Sequence, residues 1–301
     1  MRATTEQGTA AGAPGARVRR RRLVRAPSDT PAGRLTYVLL VVGVILSAFP
    51  VYWTFVVASQ SNESVSSFPP ELLPGGNLGE NIERVFATDG ANFAAALVNT
   101  AVVAGCVTVS VLLFCSLAGF AFAKLRFRGR NALMIVVVAT MTIPNQLGII
   151  PLYILMANLG WTGDLKAVIV PGLVTAFGVF FMRQYISEAV PTELLEAARV
   201  DGASTMRMYT VCVLPAIRPA AAVLGLFTFM GTWNEFLWPL VVLSPDNPTV
   251  QVSLSTLAAG YYTDWTLVLA GTALATLPLL VLFLVAGKQL IGGIMEGVVK
   301  G

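Results

Sequence analysis

The sequence predicts an all-α integral membrane protein with six transmembrane helices and a helical cytoplasmic segment between the fourth and the fifth. Three observations carry this. Of 301 residues, 55% are hydrophobic and only 12% charged; with a mean hydropathy of +0.73, the chain has too little polar surface to coat a soluble globule. Its apolar residues gather into six runs, most of them near the roughly 20 residues that cross a hydrocarbon core of about 30 Å as a helix. Finally, Arg and Lys fall on alternate connections between those runs.

Residues 1–33 are rich in Ala, Gly, Thr, Pro and Arg, contain the run Arg19-Arg20-Arg21-Arg22 and show no apolar periodicity. They read as a disordered basic cytoplasmic tail. Residues 34–95 hold the first transmembrane helix and an external loop; the apolar run Leu35 to Ala58 exceeds the roughly 7 to 15 residues of a signal-peptide core. Residues 96–290 hold the other five runs: Leu97 to Ala123, Ala132 to Ala157, Ala167 to Met182, Pro219 to Leu243 and Thr266 to Ala286. The fourth run is the shortest and contains Pro171, which a membrane helix tolerates when neighbours satisfy the freed backbone groups. Residues 291–301 read as a cytoplasmic C-terminal tail.

Charge sets the orientation. The N-terminal tail, the second connection (Lys124, Arg126, Arg128, Arg130) and the fourth (Arg183, Arg199, Arg207, Arg218) are basic and belong on the cytoplasmic side. The first connection has Glu63, Glu71, Glu80, Glu83 and Asp89 against Arg84 alone, and the fifth has no Lys or Arg. These two, with the short third connection, belong outside. An even number of spans returns Lys288 and Lys300 to the cytoplasm, so one topology with both termini inside satisfies every segment.

The fourth connection is too polar to span and too patterned to be slack. Pro191 suits the first turn of a helix; Glu193 and Glu196 favour its positive start, and Leu194, Leu195, Ala197 and Ala198 give it an apolar face. Gly202 is able to end that helix in the left-handed conformation, and Ser204 to cap a second one running toward Pro215.

Glu196-Ala197-Ala198, three residues, Gly202, and after nine intervening residues Cys212-Val213-Leu214-Pro215 resemble the coupling loop of bacterial ATP-binding-cassette importer permeases of the type I fold. The family pattern has Ile where this chain has Cys212. Ile143-Pro144, Ile150-Pro151-Leu152-Tyr153, Trp233-Asn234-Glu235-Phe236-Leu237-Trp238-Pro239-Leu240 and the ending Glu296-Gly-Val-Val-Lys300-Gly301 are similar to the carbohydrate branch, whose type resembles the smaller permease of the maltose importer. The resemblance covers about residue 35 to the C-terminus. It implies a permease forming half of a translocation pathway for a sugar or oligosaccharide. It also implies as partners a second permease, two copies of a cytoplasmic ATP-hydrolysing subunit, an extracytoplasmic solute-binding protein and the lipid bilayer, with no nucleic acid.

By that resemblance the coupling loop inserts into a groove on the ATPase. Ala197 and Ala198 allow close approach, Glu196 is available to a cationic partner, Gly202 turns the chain back, and Leu214 and Pro215 close the motif. An amphipathic helix lying on the bilayer is the bland alternative. Asn145 and Gln146 after Pro144, and Asn234 with Glu235, either line the solute path or serve local packing. For the first pair, packing means satisfying carbonyls freed by Pro144; for the second, hydrogen bonding between helices with Trp233 and Trp238 as interfacial anchors. Gly119 with Ala123, and Gly271 with Ala275, are small residues four apart that permit close helix contact. The loop from Ser244 to Asp264 is long enough to reach an external partner, by resemblance the solute-binding protein, and Met295 to Gly301 would by the same resemblance touch the ATPase pair.

No GxxxxGK[ST] loop, His, GxSxG elbow or intramembrane carboxylate pair occurs, so the chain is expected to be no enzyme, to hold no cofactor and to draw energy from another subunit. Cys106, Cys115 and Cys212 form no CxxC pair and read as small hydrophobes, not metal ligands. The alternatives are a permease of the same fold for an amino acid, peptide or ion, and a secondary transporter driven by an ion gradient.

Overall fold

The structure, a computed structural model, describes residues 33–259 and 262–299, with side chains to Val285 and at Gly287. The basic tail, Tyr261, the Lys300-Gly301 ending and the side chains of Met295 to Val299 lie outside the described residues. The chain divides into two units, Met1–Ala48 and Phe49–Gly301.

Helices follow in the order α1 (Arg34–Ala58), α2 (Asn62–Val65), α3 (Leu78–Ala87), α4 (Phe93–Lys124), α5 (Arg130–Thr140), α6 (Ile149–Asn158), α7 (Lys166–Ile169) and α8 (Ala176–Ala189). Then come α9 (Thr192–Val200), α10 (Thr205–Met208), α11 (Leu214–Ala216), α12 (Arg218–Trp233), α13 (Leu237–Val242), α14 (Val250–Leu257) and α15 (Trp265–Val299). Among the described residues there is no strand. Arg34–Ala58, Phe93–Lys124, Lys166–Ala189 and Trp265–Val285 are each long and apolar enough to cross a membrane. Two further pairs reach that length only across a bend: Arg130–Thr140 with Asn145–Asn158 at 94°, and Thr205–Ala216 with Arg218–Trp233 at 78°.

Two expected runs are therefore broken. The run from Ala132 to Ala157 stops at Thr140, because Pro144 has no N–H to donate and excludes its predecessor from helical geometry. The helix end tightens instead: Met141, Thr142 and Ile143 donate to the carbonyls three residues back, at 3.1, 3.1 and 3.3 Å. The run from Pro219 to Leu243 ends at Trp233, leaves Asn234, Glu235 and Phe236 outside helices and resumes as α13. The fourth run bends through a short 3₁₀ turn at Pro171 and restarts where the Thr175 hydroxyl caps the Gly178 amide at 3.0 Å. It extends past Met182 to Ala189.

The core is built around α4. Its buried residues Thr100, Val103, Val107, Val111, Cys115, Ser116, Gly119 and Phe120 recur at three and four, one stripe of a helix. That stripe packs on α8 and α12. Apolar side chains gain little by leaving lipid for protein, so such contacts rest on close packing and hydrogen bonds. Gly119 shows it: a methyl there would lie 2.7 Å from Met182 Cβ and 2.8 Å from the Arg183 nitrogen. A second buried cluster joins Val85, Phe93, Ala104, Trp233, Val250, Leu257 and Ala270. Here Gly271 plays the same part, its missing Cβ facing Leu254 and Leu257 at 2.9 and 3.0 Å.

Candidate functional site

The segment from Pro191 to Pro215 has two unlike faces. Pro191, at φ −60° and ψ 140°, stands just before α9 rather than inside its first turn. The helix ends in a Schellman turn: Gly202, at φ +77°, donates to Arg199 O at 3.0 Å, and Ala203 donates to Ala198 O at 2.9 Å. Ser204 then accepts from the Arg207 amide at 3.3 Å and opens α10. On the inner face Leu195, Met208, Tyr209, Val213 and Ile217 are buried in the α4 and α8 core, with Ala198 and Ala203 half-buried against it. On the outer face Glu196, Ala197, Gly202, Leu214 and Pro215 are exposed, and Val200 is 88% exposed. The Glu196 side chain makes no ion pair or hydrogen bond with another described residue. The loop is thus fastened from within and offers outward a mixed surface in which Glu196 and Ala197 stand beside Leu194, Arg199 and Val200.

Tyr209 to Val213 form a π-helical turn in which Leu214 N–H reaches Tyr209 O. Pro215 explains it, since a proline removes one donor and crowds the carbonyl four residues earlier, and widening the turn relieves both. At the start of this turn the Tyr209 hydroxyl lies 2.6 Å from Ser116 Oγ on α4, both residues buried. Ser116 directs its own proton to the carbonyls of Leu112 and Leu113, so Tyr209 donates and Ser116 accepts. The Tyr209 ring also packs on Phe120, centroids 5.8 Å apart. Sequence reasoning missed this pair: a Ser inside an apolar run and a Tyr in a loop carry no mutual spacing.

The four amide and carboxylate positions separate into two groups. Asn145 and Gln146 form a 3₁₀ turn at the 94° bend and are exposed, and their side chains make no hydrogen bond to another described residue. They do not satisfy the carbonyls freed by Pro144, which the backbone itself closes. Asn234 and Glu235 sit in the break after α12, exposed; the Asn234 amide donates to Met230 O at 2.9 Å and accepts from Gln251 at 3.3 Å, while Glu235 Oε1 accepts from the Trp238 amide at 3.3 Å. Both tryptophans have the indole N–H engaged within the chain. Trp233, 2% exposed, stacks on Phe229 and donates to Ala275 O at 3.1 Å, and Trp238 donates to Ala167 O at 3.0 Å. Among the described residues no hydrogen bond joins the Asn145 group to the Asn234 group.

The stretch from Ser244 to Asp264 is not a slack connection, for it contains α14 and is tied to α4 and its approach. The Val250 amide donates to Thr100 Oγ1 at 2.8 Å, Asn99 donates to Pro248 O at 3.0 Å, Asn92 to Pro245 O at 3.1 Å, and the Ser253 hydroxyl to Ala91 O at 2.6 Å. Asp264 ends the stretch, paired with Arg84 of α3 and accepting from Thr266 Oγ1 at 2.6 Å and the Leu267 amide at 3.0 Å. Burial would raise its carboxyl, but hydrogen bonds from Thr266, Leu267, Arg84 and Asn62 outweigh that and lower it to about 2. Among the described residues no three His, Cys, Asp or Glu side chains gather where a metal would sit.

A family model described as binding-protein-dependent transport system inner membrane component matches residues 112–289. The arabinooligosaccharides transport system permease protein AraQ of Halalkalibacterium halodurans is 37% identical over 196 residues, which is 65% of this chain and 70% of that protein. The sn-glycerol-3-phosphate transport system permease protein UgpE of Shigella flexneri serotype 5b is 31% identical over 274 residues, 87% of this chain and 95% of that protein. Among solved structures, a bacterial ABC transporter involved in the import of the acidic polysaccharide alginate superposes with a TM-score of 0.74 at 23% identity, covering 84% of this chain and 94% of that one. A bacterial alginate ABC transporter in complex with an alginate pentasaccharide-bound periplasmic protein superposes with a TM-score of 0.60 at 17% identity, over 84% and 92%. At these identities the two structures share its fold.

Proposed function

Because the chain belongs to the family of binding-protein-dependent transport system inner membrane components, we propose that it forms half of the translocation pathway of an ATP-driven importer whose cargo is a sugar or oligosaccharide. The other half is a second permease. Two copies of a cytoplasmic ATPase drive the pair, and an extracytoplasmic solute-binding protein delivers the cargo. In this reading Arg130–Thr140 with Asn145–Asn158 form one crossing and α12 with α13 another, giving six spans with both termini cytoplasmic, in line with the charge map. Pro191 to Pro215 then faces the cytoplasm, with Glu196, Ala197, Ala198, Gly202, Leu214 and Pro215 as its coupling surface.

The observation that carries the reading is the division of that loop: an inner face sunk in the core and an outer face presenting exposed Ala197 and a Glu196 without a partner among the described residues. An interfacial helix would turn its apolar side to lipid, whereas here Leu195 is inside and a carboxylate is outside. Support for the cargo comes from the relative named for arabinooligosaccharides. The relative named for sn-glycerol-3-phosphate favours a polyol phosphate as the second reading. Asn145, Gln146, Asn234 and Glu235 are the pathway candidates, all exposed and all able to meet hydroxyl groups.

Gly202→Asp and Glu196→Lys test the coupling surface. Each is expected to cut uptake at least tenfold and to weaken recovery of the ATPase with the permease, while membrane insertion is retained. Normal uptake and normal ATPase recovery in both variants would overturn it, and ATP-independent uptake by this chain alone in gradient-loaded vesicles would establish a secondary transporter instead.

A further inference from the structure

We infer that α4 carries motion between the two faces of the membrane, jointed to the cytoplasmic loop by Tyr209–Ser116 and to the outer helix α14 by Thr100–Val250 and Asn99–Pro248. This rests on the reading of Pro191–Pro215 as the ATPase dock.

One uninterrupted helix of 32 residues holds both joints. Thr100 and Ser116 stand 16 positions apart on its buried stripe, about 24 Å at 1.5 Å per residue. At the inner end Tyr209 donates to a serine whose own proton is engaged, so the contact has a fixed direction, and both residues are buried. At the outer end Thr100 repeats the arrangement. Its hydroxyl donates to Ala96 O at 2.8 Å and accepts the Val250 amide, the first of α14, at 2.8 Å. Both joints therefore use a hydroxyl of α4 that is bonded to α4's own backbone, so a shift of either neighbour is passed to the rod and not dissipated in a side chain. Just beyond the inner joint Gly119 presses the rod against α8.

The cytoplasmic joint is also where the backbone is convertible. The π turn begins at Tyr209, and a π turn differs from an α turn by one residue of hydrogen-bond register. A pull on α9 and α10 that changed this register would move the Tyr209 hydroxyl relative to Ser116. Tyr209, Ser116 and Thr100 are positioning residues in this scheme; none needs to meet the cargo.

The test uses the complete transporter, purified with its partner subunits in lipid nanodiscs, and reads the stimulation of ATP hydrolysis by cargo-loaded solute-binding protein. Tyr209→Phe and Thr100→Val are each expected to lower the stimulation ratio at least fivefold, and the double variant to be no worse than the poorer single one, because the two act in series. Sites this far apart are otherwise additive. An additive double variant, or an unchanged ratio in an intact complex, overturns the inference. A purely structural role would lower yield or Tm and leave the ratio alone. Should a variant fail to assemble, hydrogen exchange on the wild type decides: ATP binding without solute-binding protein should change exchange at Val250–Leu257 at least threefold, and no change there overturns the inference. If Gly202→Asp leaves coupling intact, the reading of the dock has failed; if Gly202→Asp uncouples while the other two variants stay additive, the inference alone has failed.

Discussion

The Asp264 carboxylate closes the open end of α15 and, through Arg84, ties that end to α3. With its carboxyl lowered to about 2 in the folded chain against about 3.9 in an unfolded one, it adds stability above about pH 4 and loses it as the pH falls toward 2. Asp264→Ala should cost about 1 kcal/mol near neutrality as a lost cap. Thermal unfolding in detergent should show the wild-type and variant curves converging between pH 4 and 2; a gap independent of pH would refute the assignment. Such detail was only partly open to sequence reading. Gly202 was legible because a left-handed turn after a helix selects glycine, but the Arg84–Asp264 pair joins residues 180 positions apart, and nothing local announces it. Tyr209 with Ser116 and Thr100 with Val250 were hidden for the same reason.

At the scale of the helix, apolar length was legible and continuity was not. Hydropathy found the four unbroken crossing candidates, yet it placed Pro144 inside a run that bends by 94° and Asn234 inside one that stops. A window average is insensitive to one missing N–H, whereas the backbone is not. Close packing was legible where small residues stood four apart, and Gly119 is the sharper case. Gly119→Leu would drive a branched side chain into Met182 Cβ and the Arg183 backbone. The expected loss is at least 2 to 3 kcal/mol, about the range for overpacking a dense contact, read as a lower unfolding temperature and a fall in purified yield. A variant as stable as wild type would show that α4 and α8 are not pressed together at this point.

For the molecule as a whole, the apolar and basic segments constrain topology together, and the fold shared with alginate importer structures at a TM-score of 0.74 agrees with the all-α reading. Under the proposed function, the motif between Glu196 and Pro215 is dense because one loop has two surfaces to satisfy at once. The stretch from Ser244 to Asp264 was less legible. Its polar residues looked like those of any connection, and only the placement of α14 shows Asn92, Asn99 and Thr100 committed to it.

The π turn at Tyr209–Val213 bears on which lengths of this loop evolution can sample. Connections between helices ordinarily accept insertions and deletions, but here the one spare residue that a widened turn holds is already in use. Inserting a further residue between Thr210 and Cys212 would swing the downstream helix by about 100° and push it out by about 1.5 Å, taking Val213 and Ile217 off the core and displacing α12 from its seat on α4, whereas losing one is absorbed by a return to an α turn. Homologues in this fold should therefore gain no residue at these positions. A random indel library selected for uptake should return single deletions but no insertions over 210–212, and length changes of both signs near Gly90.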